Sequence, residues 1–310
     1  MLPFTMPVAA GTPILVAVSG GADSVALWDL LAAGGAVPVV WHLDHGLRPE
    51  SAVDAAWVAQ RARRLGHEAI VEHADIAALA TGMGCGIEEA GRTHRYARLA
   101  EVARSRGIGT VATAHHADDR AESILMHLLR GAGPGGWQGI AAERPLEPGI
   151  RLVRPLLALH RRDLRGWLRE RGEPWREDAS NRDQRFTRNR IRAMLAEWEA
   201  VAPGFADALL AVADRQADGH RRLTAEADAC LQAASVGDGL RVAPLQSARR
   251  EVRMAALAVH LMVLGVAADR GRLHRLADLV AGAPGRRLQL GAITWLRRAD
   301  RVVWERREPG

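Results

Sequence analysis

Four short apolar runs, each followed by a helical pattern, constrain this chain more than any other feature. Ile14–Val18, Val37–Leu43, Glu68–His73 and Gly109–Ala114 read as strands. Ser24–Ala33, Ala52–Leu65, Glu88–Arg106 and Asp119–Arg130 read as the helices that follow them. Strands that alternate with helices specify an α/β fold with a doubly wound, mainly parallel sheet. Such sheets bind ligands at the carboxyl ends of their strands. Polar clusters follow Val18, Leu43 and Ala114, so one site is expected to collect three separated segments.

The remainder is organised more loosely. Gly131–Gly139 is glycine-rich and reads as a mobile loop, and residues 155–200 read as helical. Pro203-Gly204 breaks the chain, and Phe205–Ala234 is one long helical pattern. A helix over Arg249–Leu264 and short strands at Arg287–Leu290, Ile293–Leu296 and Val302–Trp304 complete a smaller C-terminal α+β region. The expected division is a catalytic domain at 1–200, a linker helix at 201–235 and a small domain at 236–310. A length of 310 residues suffices for two domains. No apolar run reaches the roughly 18–20 residues of a membrane span, so no membrane partner is expected. The N-terminus lacks the basic segment of a signal peptide. Cys85 and Cys230 stand far apart in no metal-binding spacing, which fits a reducing cytoplasm.

The first strand ends in "VAVSGGADSVAL", Val16–Leu27. Gly20 and Gly21 let the backbone approach a ligand, and the loop opens onto a helix N-terminus, where unpaired amides favour an anion. Ser19 and Ser24 add hydroxyls. Asp23 suits a magnesium ion bridging phosphates better than a phosphate itself. The same residues also suit a tight strand–helix turn with a polar cap. A Walker loop would need a lysine, and the chain has none: all 42 basic residues are arginines, against 36 acids. Every cation here is a planar, permanently charged fork, and a net charge of +6 suits a polyanionic partner.

Four other segments carry candidate chemistry. His115, Asp119 and Glu122 follow the fourth strand, with the two acids on one helix face. They suit a metal or an ammonium group, or serve as an N-terminal cap. His42, Asp44 and His45 match no common zinc spacing. Arg92 and Arg95 lie one helical turn apart before Tyr96 and face either a ligand or solvent. Residues 151–192 hold 13 arginines against six acids, a surface suited to a phosphate backbone.

The pattern Ser19–Ser24 resembles the PP-loop of N-type ATP pyrophosphatases, which have an adenine-nucleotide alpha-hydrolase-like fold. "HLDHGLRPES" (42–51), "TAHHADDRAESILMHLLRGAG" (113–133), "RPLL" (154–157) and "WREDASNRDQRFTRNRIR" (175–192) together resemble tRNA(Ile)-lysidine synthetase over about residues 14–200. The resemblance implies ATP held by Ser19, Gly20, Gly21, Ala22, Asp23 and Ser24, with magnesium on Asp23 and Asp119. It implies catalytic roles for Asp23, His115, Asp119, Glu122 and Arg95. The crowded arginines Arg185, Arg188, Arg190 and Arg192 are expected to grip tRNA phosphates, because their forks match phosphate oxygens. The implied reaction joins L-lysine to carbon-2 of the wobble cytidine of an isoleucine tRNA with a CAU anticodon. The sequence leaves the oligomeric state open, with a homodimer as one candidate. Arg120, Ala179 and Gly91 depart from the family pattern, which expects glutamine, proline and alanine. A PP-loop tRNA thiolase and a non-catalytic tRNA- or nucleotide-binding protein remain rival readings.

Overall fold

A computed structural model describes residues 2, 4–46, 51–132, 134–177, 187–237 and 239–306. Contacts divide the chain into two units, 1–213 and 214–310. Ala179, Asn181, Arg182 and Arg185, and the side chain of Arg188, lie outside the described residues.

In the first unit the elements run β1 (Pro13–Ala17), α1 (Ala22–Ala33), β2 (Val37–Asp44), α2 (Ser51–Leu65), β3 (Glu68–His73), α3 (Ile76–Met83), α4 (Ile87–Ser105), β4 (Thr110–Ala112) and α5 (Ala117–Leu129). They continue with β5 (Glu143–Glu147), β6 (Ile150–Val153), α6 (Arg161–Glu170), α7 (Thr187–Val201) and α8 (Phe205–Ala234). The division between units falls within α8.

The sheet order is β3-β2-β1-β4-β6-β5. All neighbours are parallel except the edge strand β5, which pairs antiparallel with β6. The doubly wound, mainly parallel sheet is therefore the one expected. The chain leaves β1 for β2 on one side and later returns to β4 on the other. This reversal makes the carboxyl end of β1 a topological switch point, where open α/β sheets bind their ligands. Alternation along the strands fills two cores. Ile14, Val16 and Val40 pack with Leu27, Trp28 and Leu31 of α1 and with Leu164 and Leu168 of α6. Leu15, Val39, Trp41 and Val111 pack on the opposite face with Leu99 and Val102 of α4.

Two expectations are refined. Residues 155–200 are not continuously helical: α6 ends at Glu170, and 173–177 have no regular structure. The glycine-rich stretch contains a 3₁₀ turn, Pro134–Gln138, whose Gln138 carbonyl accepts from Arg120 Nε at 3.4 Å. Gly91 has Ile76 Cγ2 at 3.4 Å from an added Cβ, ordinary contact, so an alanine fits there.

The second unit contains β7 (Ser235–Val236), β8 (Gly239–Arg241), α9 (Val242–Ser247), α10 (Arg250–Val263), α11 (Arg270–Ala281), β9 (Arg287–Leu290), β10 (Ile293–Arg297) and β11 (Arg301–Arg306). Its antiparallel sheet runs β7-β8-β11-β10-β9. Leu257 and Leu261 of α10 and Leu276 of α11 pack on Trp295 and Val302. Among the described residues, no helix is long and apolar enough to cross a membrane.

Candidate active site

The loop after β1 is held by its own serines. Ser24 Oγ accepts from Ser19 N at 3.2 Å and donates to the Gly21 carbonyl at 2.9 Å. Ser19 Oγ accepts from Gly21 N at 3.3 Å. Gly20 sits at φ +91°, a conformation that disfavours any side chain. Gly21 is the N-cap of α1 and brings no side chain to its first-turn amides. That helix end suits an anion. The loop is braced from outside: Arg176 N donates to the Gly20 carbonyl at 2.9 Å, and Arg176 Nε donates to Asp54 Oδ1 of α2 at 2.8 Å.

The loop opens onto a cavity of about 390 Å³ at the carboxyl ends of β1, β2 and β4. Ser19, Asp23 and Ser24 line it from the loop, and Thr113, His115 and Asp119 from beyond β4. His45 and Arg95 line it from the β2 side, and Arg161, Asn189 and Arg192 from α6 and α7. Three separated segments do meet here, and α4, α6 and α7 add three more.

His116, fully buried, ties the acids together. It is the N-cap residue of α5, and its main-chain N–H donates to Asp119 Oδ2 at 3.2 Å. Its Nε2 lies 3.4 Å from both Asp23 Oδ2 and Asp119 Oδ2, and its Nδ1 lies 3.3 Å from Asp118 Oδ2. Burial opposes a charge on this ring, but hydrogen bonds to Asp118 and Asp23 outweigh it and raise its pKa to about 9. An imidazolium donates to Asp118 through Nδ1, in preference to accepting the Asp119 N–H at 3.4 Å. Burial pushes the Asp118 carboxyl up, but hydrogen bonds from His116 and the Arg161 amide hold it well below the usual carboxylate range.

The His42–His45 segment divides. His42 Nδ1 meets the Val18 carbonyl at 2.8 Å, and Asp44 accepts from Gly46 N at 2.9 Å. Both brace the strand end. Burial opposes the Asp44 charge, but hydrogen bonds from Ser51, Gly46 and His73 bring its pKa to about 2. Of its three polar residues, His45 alone lines the cavity, 3.5 Å from Arg95 Nη2. Burial, then the Arg95 charge, lowers its pKa to about 4.

Glu122 is placed differently from Asp119. It is 1% exposed and accepts from Arg192 Nε at 2.7 Å and Nη2 at 3.3 Å. It lines a neighbouring cleft beside Asp118, while Arg192 reaches both spaces. Arg190 is exposed on α7. Ile191 and Leu195 turn into a small core with Ala121.

Arg161 and the central role of His116 escape a reading of the sequence. One signal was present: Arg161 opens α6, where the helix dipole disfavours a cation. Asp23 Oδ1 is buried without a hydrogen-bond partner, as a metal-ligand oxygen would be before its ion arrives. Among the described residues no group of three His, Cys, Asp or Glu could hold a metal. One or two carboxylates suffice for magnesium when phosphates supply the other oxygens, so Asp23 and Asp119 fit that ion.

Fold and loop define the class: the family model of the PP-loop domain matches residues 4–199. The chain belongs to this family, within the branch of the tRNA(Ile)-lysidine synthases. It is 40% identical over 275 residues to the tRNA(Ile)-lysidine synthase of Thermus thermophilus, covering 88% of this chain and 53% of that protein. It is 39% identical over 292 residues to that of Methylobacterium nodulans, covering 89% and 82%. The chain thus spans about half the length of several curated relatives it matches. A U34-tRNA thiolase of Methanococcus maripaludis shares the fold, with a TM-score of 0.52 at 15% identity over 68% of this chain and 73% of that one.

Proposed function

We propose that this chain joins L-lysine to carbon-2 of the wobble cytidine of an isoleucine tRNA with a CAU anticodon, in the cytoplasm, using ATP. The observation that carries the reading is a single cavity. It brings Ser19, Asp23 and Ser24 together with His115, Asp119 and three arginines at the sheet's switch point. The relatives' names supply the substrate class.

The hydroxyls of Ser19 and Ser24 and the amides opening α1 bind phosphates. The cytosine carbonyl oxygen attacks the α-phosphorus, and the bond to pyrophosphate breaks. Arg95, Arg161 and Arg192 stabilise the charge that develops. The lysine amine then attacks carbon-2 and AMP departs with the oxygen. Asp119 orients the amine, whose proton passes to solvent as the new bond forms. Glu122 acts through Arg192, which its two hydrogen bonds hold at the cavity wall. A magnesium ion on Asp23 and Asp119, when bound, would neutralise phosphate charge. Arg185, Arg188 and Arg190 are assigned to the tRNA backbone.

The test is incubation with unmodified isoleucine tRNA, ATP, magnesium and labelled lysine. Label is expected in the tRNA, and not when the wobble cytidine is replaced by uridine. No incorporation into a competent tRNA contradicts the reading, as does transfer of sulfur.

A further inference from the structure

The nucleotide loop has no cation of its own. Ser19–Ser24 contains none, and the chain has no lysine to reach in from elsewhere. A triphosphate nevertheless brings several negative charges. Of the arginines at the cavity, Arg192 is bonded twice to Glu122, and Arg95 lies against His45. Arg161 stands closest to the loop acid. Its main-chain N–H donates to Asp118 Oδ2 at 2.8 Å, which fixes where the side chain starts. Its Nε lies 3.6 Å from Asp23 Oδ2, and its Nη2 lies 3.2 Å from His116 Nε2. That imidazole nitrogen is 3.4 Å from the same Asp23 oxygen. Two nitrogen-bearing side chains, Arg161 and His116, therefore converge on one oxygen of Asp23, while its other oxygen is buried without a partner. The arrangement is also costly in place: Arg161 begins α6, against the helix dipole.

We propose that Arg161 is the phosphate-binding cation of this site, resting on Asp23 until nucleotide enters and then pairing with the outer phosphates. This builds on the reading that the cavity takes ATP. Charge exchange explains both features: the guanidinium gains a phosphate, and Asp23 is released to face a cation. A fork matches two phosphate oxygens at once, which an ammonium does not.

Titration calorimetry on the full chain tests this with ATP, inorganic pyrophosphate and AMP as probes. Arg161→Gln is expected to weaken ATP and pyrophosphate by about tenfold or more, with AMP within about twofold. Arg161→Lys recovers part of the loss, because charge returns without the fork. Arg162→Gln, at the exposed neighbouring position, leaves all three unchanged. Thermal melting of Arg161→Gln within a few degrees of wild type shows that a loss is local. ATP and pyrophosphate bound as tightly by Arg161→Gln as by wild type overturn the proposal, and so does an equal loss for AMP. If wild type binds neither ATP nor pyrophosphate, the ATP reading fails instead, which separates the two failures.

Discussion

His116 and His260 are both buried, and their surroundings drive them in opposite directions. His116 sits among Asp23, Asp118 and Asp119, whose hydrogen bonds and charges overcome burial and raise its pKa to about 9. His260, on α10, lies edge-on to Trp295 and Trp304 at centroid distances of 5.5 and 4.5 Å. Its Nε2 has no hydrogen-bond partner, and burial alone lowers its pKa to about 4. The first unit thus uses a buried histidine to gather acids beneath its cavity. The second uses one as an aromatic filler in an apolar core. Neighbours decide the role, and residue type does not.

The comparison is broken most severely by substituting the two histidines. His116→Leu leaves Asp23, Asp118 and Asp119 around an apolar side chain. The acids keep some contact with solvent, so removing their buried hydrogen-bonding partner costs about 1–3 kcal/mol. His260→Leu is expected to be near neutral or stabilising, because it deletes an unpaired polar atom from an apolar site. Denaturant unfolding of each variant checks this, and equal losses would erase the distinction.

Asp23→Ala follows in size. It removes the acid that His116 and Arg161 both face, and should slow tRNA-dependent ATP–pyrophosphate exchange by about 10²–10³. Affinity for tRNA should be nearly unchanged. Exchange at the wild-type rate would remove Asp23 from the proposed chemistry.

The acid limb of stability sharpens the contrast further. The His260 pKa is lowered in the fold, so the unfolded chain takes up a proton between pH 6.5 and about 4 that the folded chain refuses. Stability is complete above 6.5 and falls as pH drops through that window, by on the order of 3 kcal/mol. His116 has the reverse sign: its contribution is complete below 6.5 and is lost as pH rises through about 9. His45 adds to the acid limb in the first unit, so the useful measurement compares wild type with His260→Leu. The variant should show the shallower acid slope, and parallel profiles would contradict the account.

The smallest effect belongs to Arg190, exposed on α7. Arg190→Gln should lower the salt slope of tRNA binding by about one, leaving ATP affinity intact. Arg192→Gln has a larger effect and should also slow catalysis, because it removes two hydrogen bonds from the buried Glu122. If the two variants behave alike, the Glu122–Arg192 pair has no part in the site.

How much of this the sequence revealed depends on the range of the signal. The Ser19–Ser24 loop, Asp119 and the parallel sheet were readable because each rests on a local pattern, an apolar run followed by turn or cap chemistry. Arg161 was not, since its meaning lies in a contact with Asp23 that spans 138 positions of sequence. The helical spacing of Glu122 from Asp119 was readable, but its pairing with Arg192 from another helix was not. The β5–β6 hairpin was hidden because "ERPLEPGIRLV" alternates poorly and carries two prolines. α11 was readable in principle: Asp269 caps it, and Leu276, Leu279 and Val280 recur at helical spacing on its buried face.

The central claim is that this cavity directs a tRNA oxygen onto the α-phosphorus of ATP. The most direct measurement follows α-phosphate-labelled ATP with isoleucine tRNA in the absence of lysine. The account predicts label on the tRNA as an adenylate, with pyrophosphate released, and discharge of labelled AMP once lysine is added. Release of ADP and phosphate, or tRNA that never acquires the α-phosphate, would contradict it.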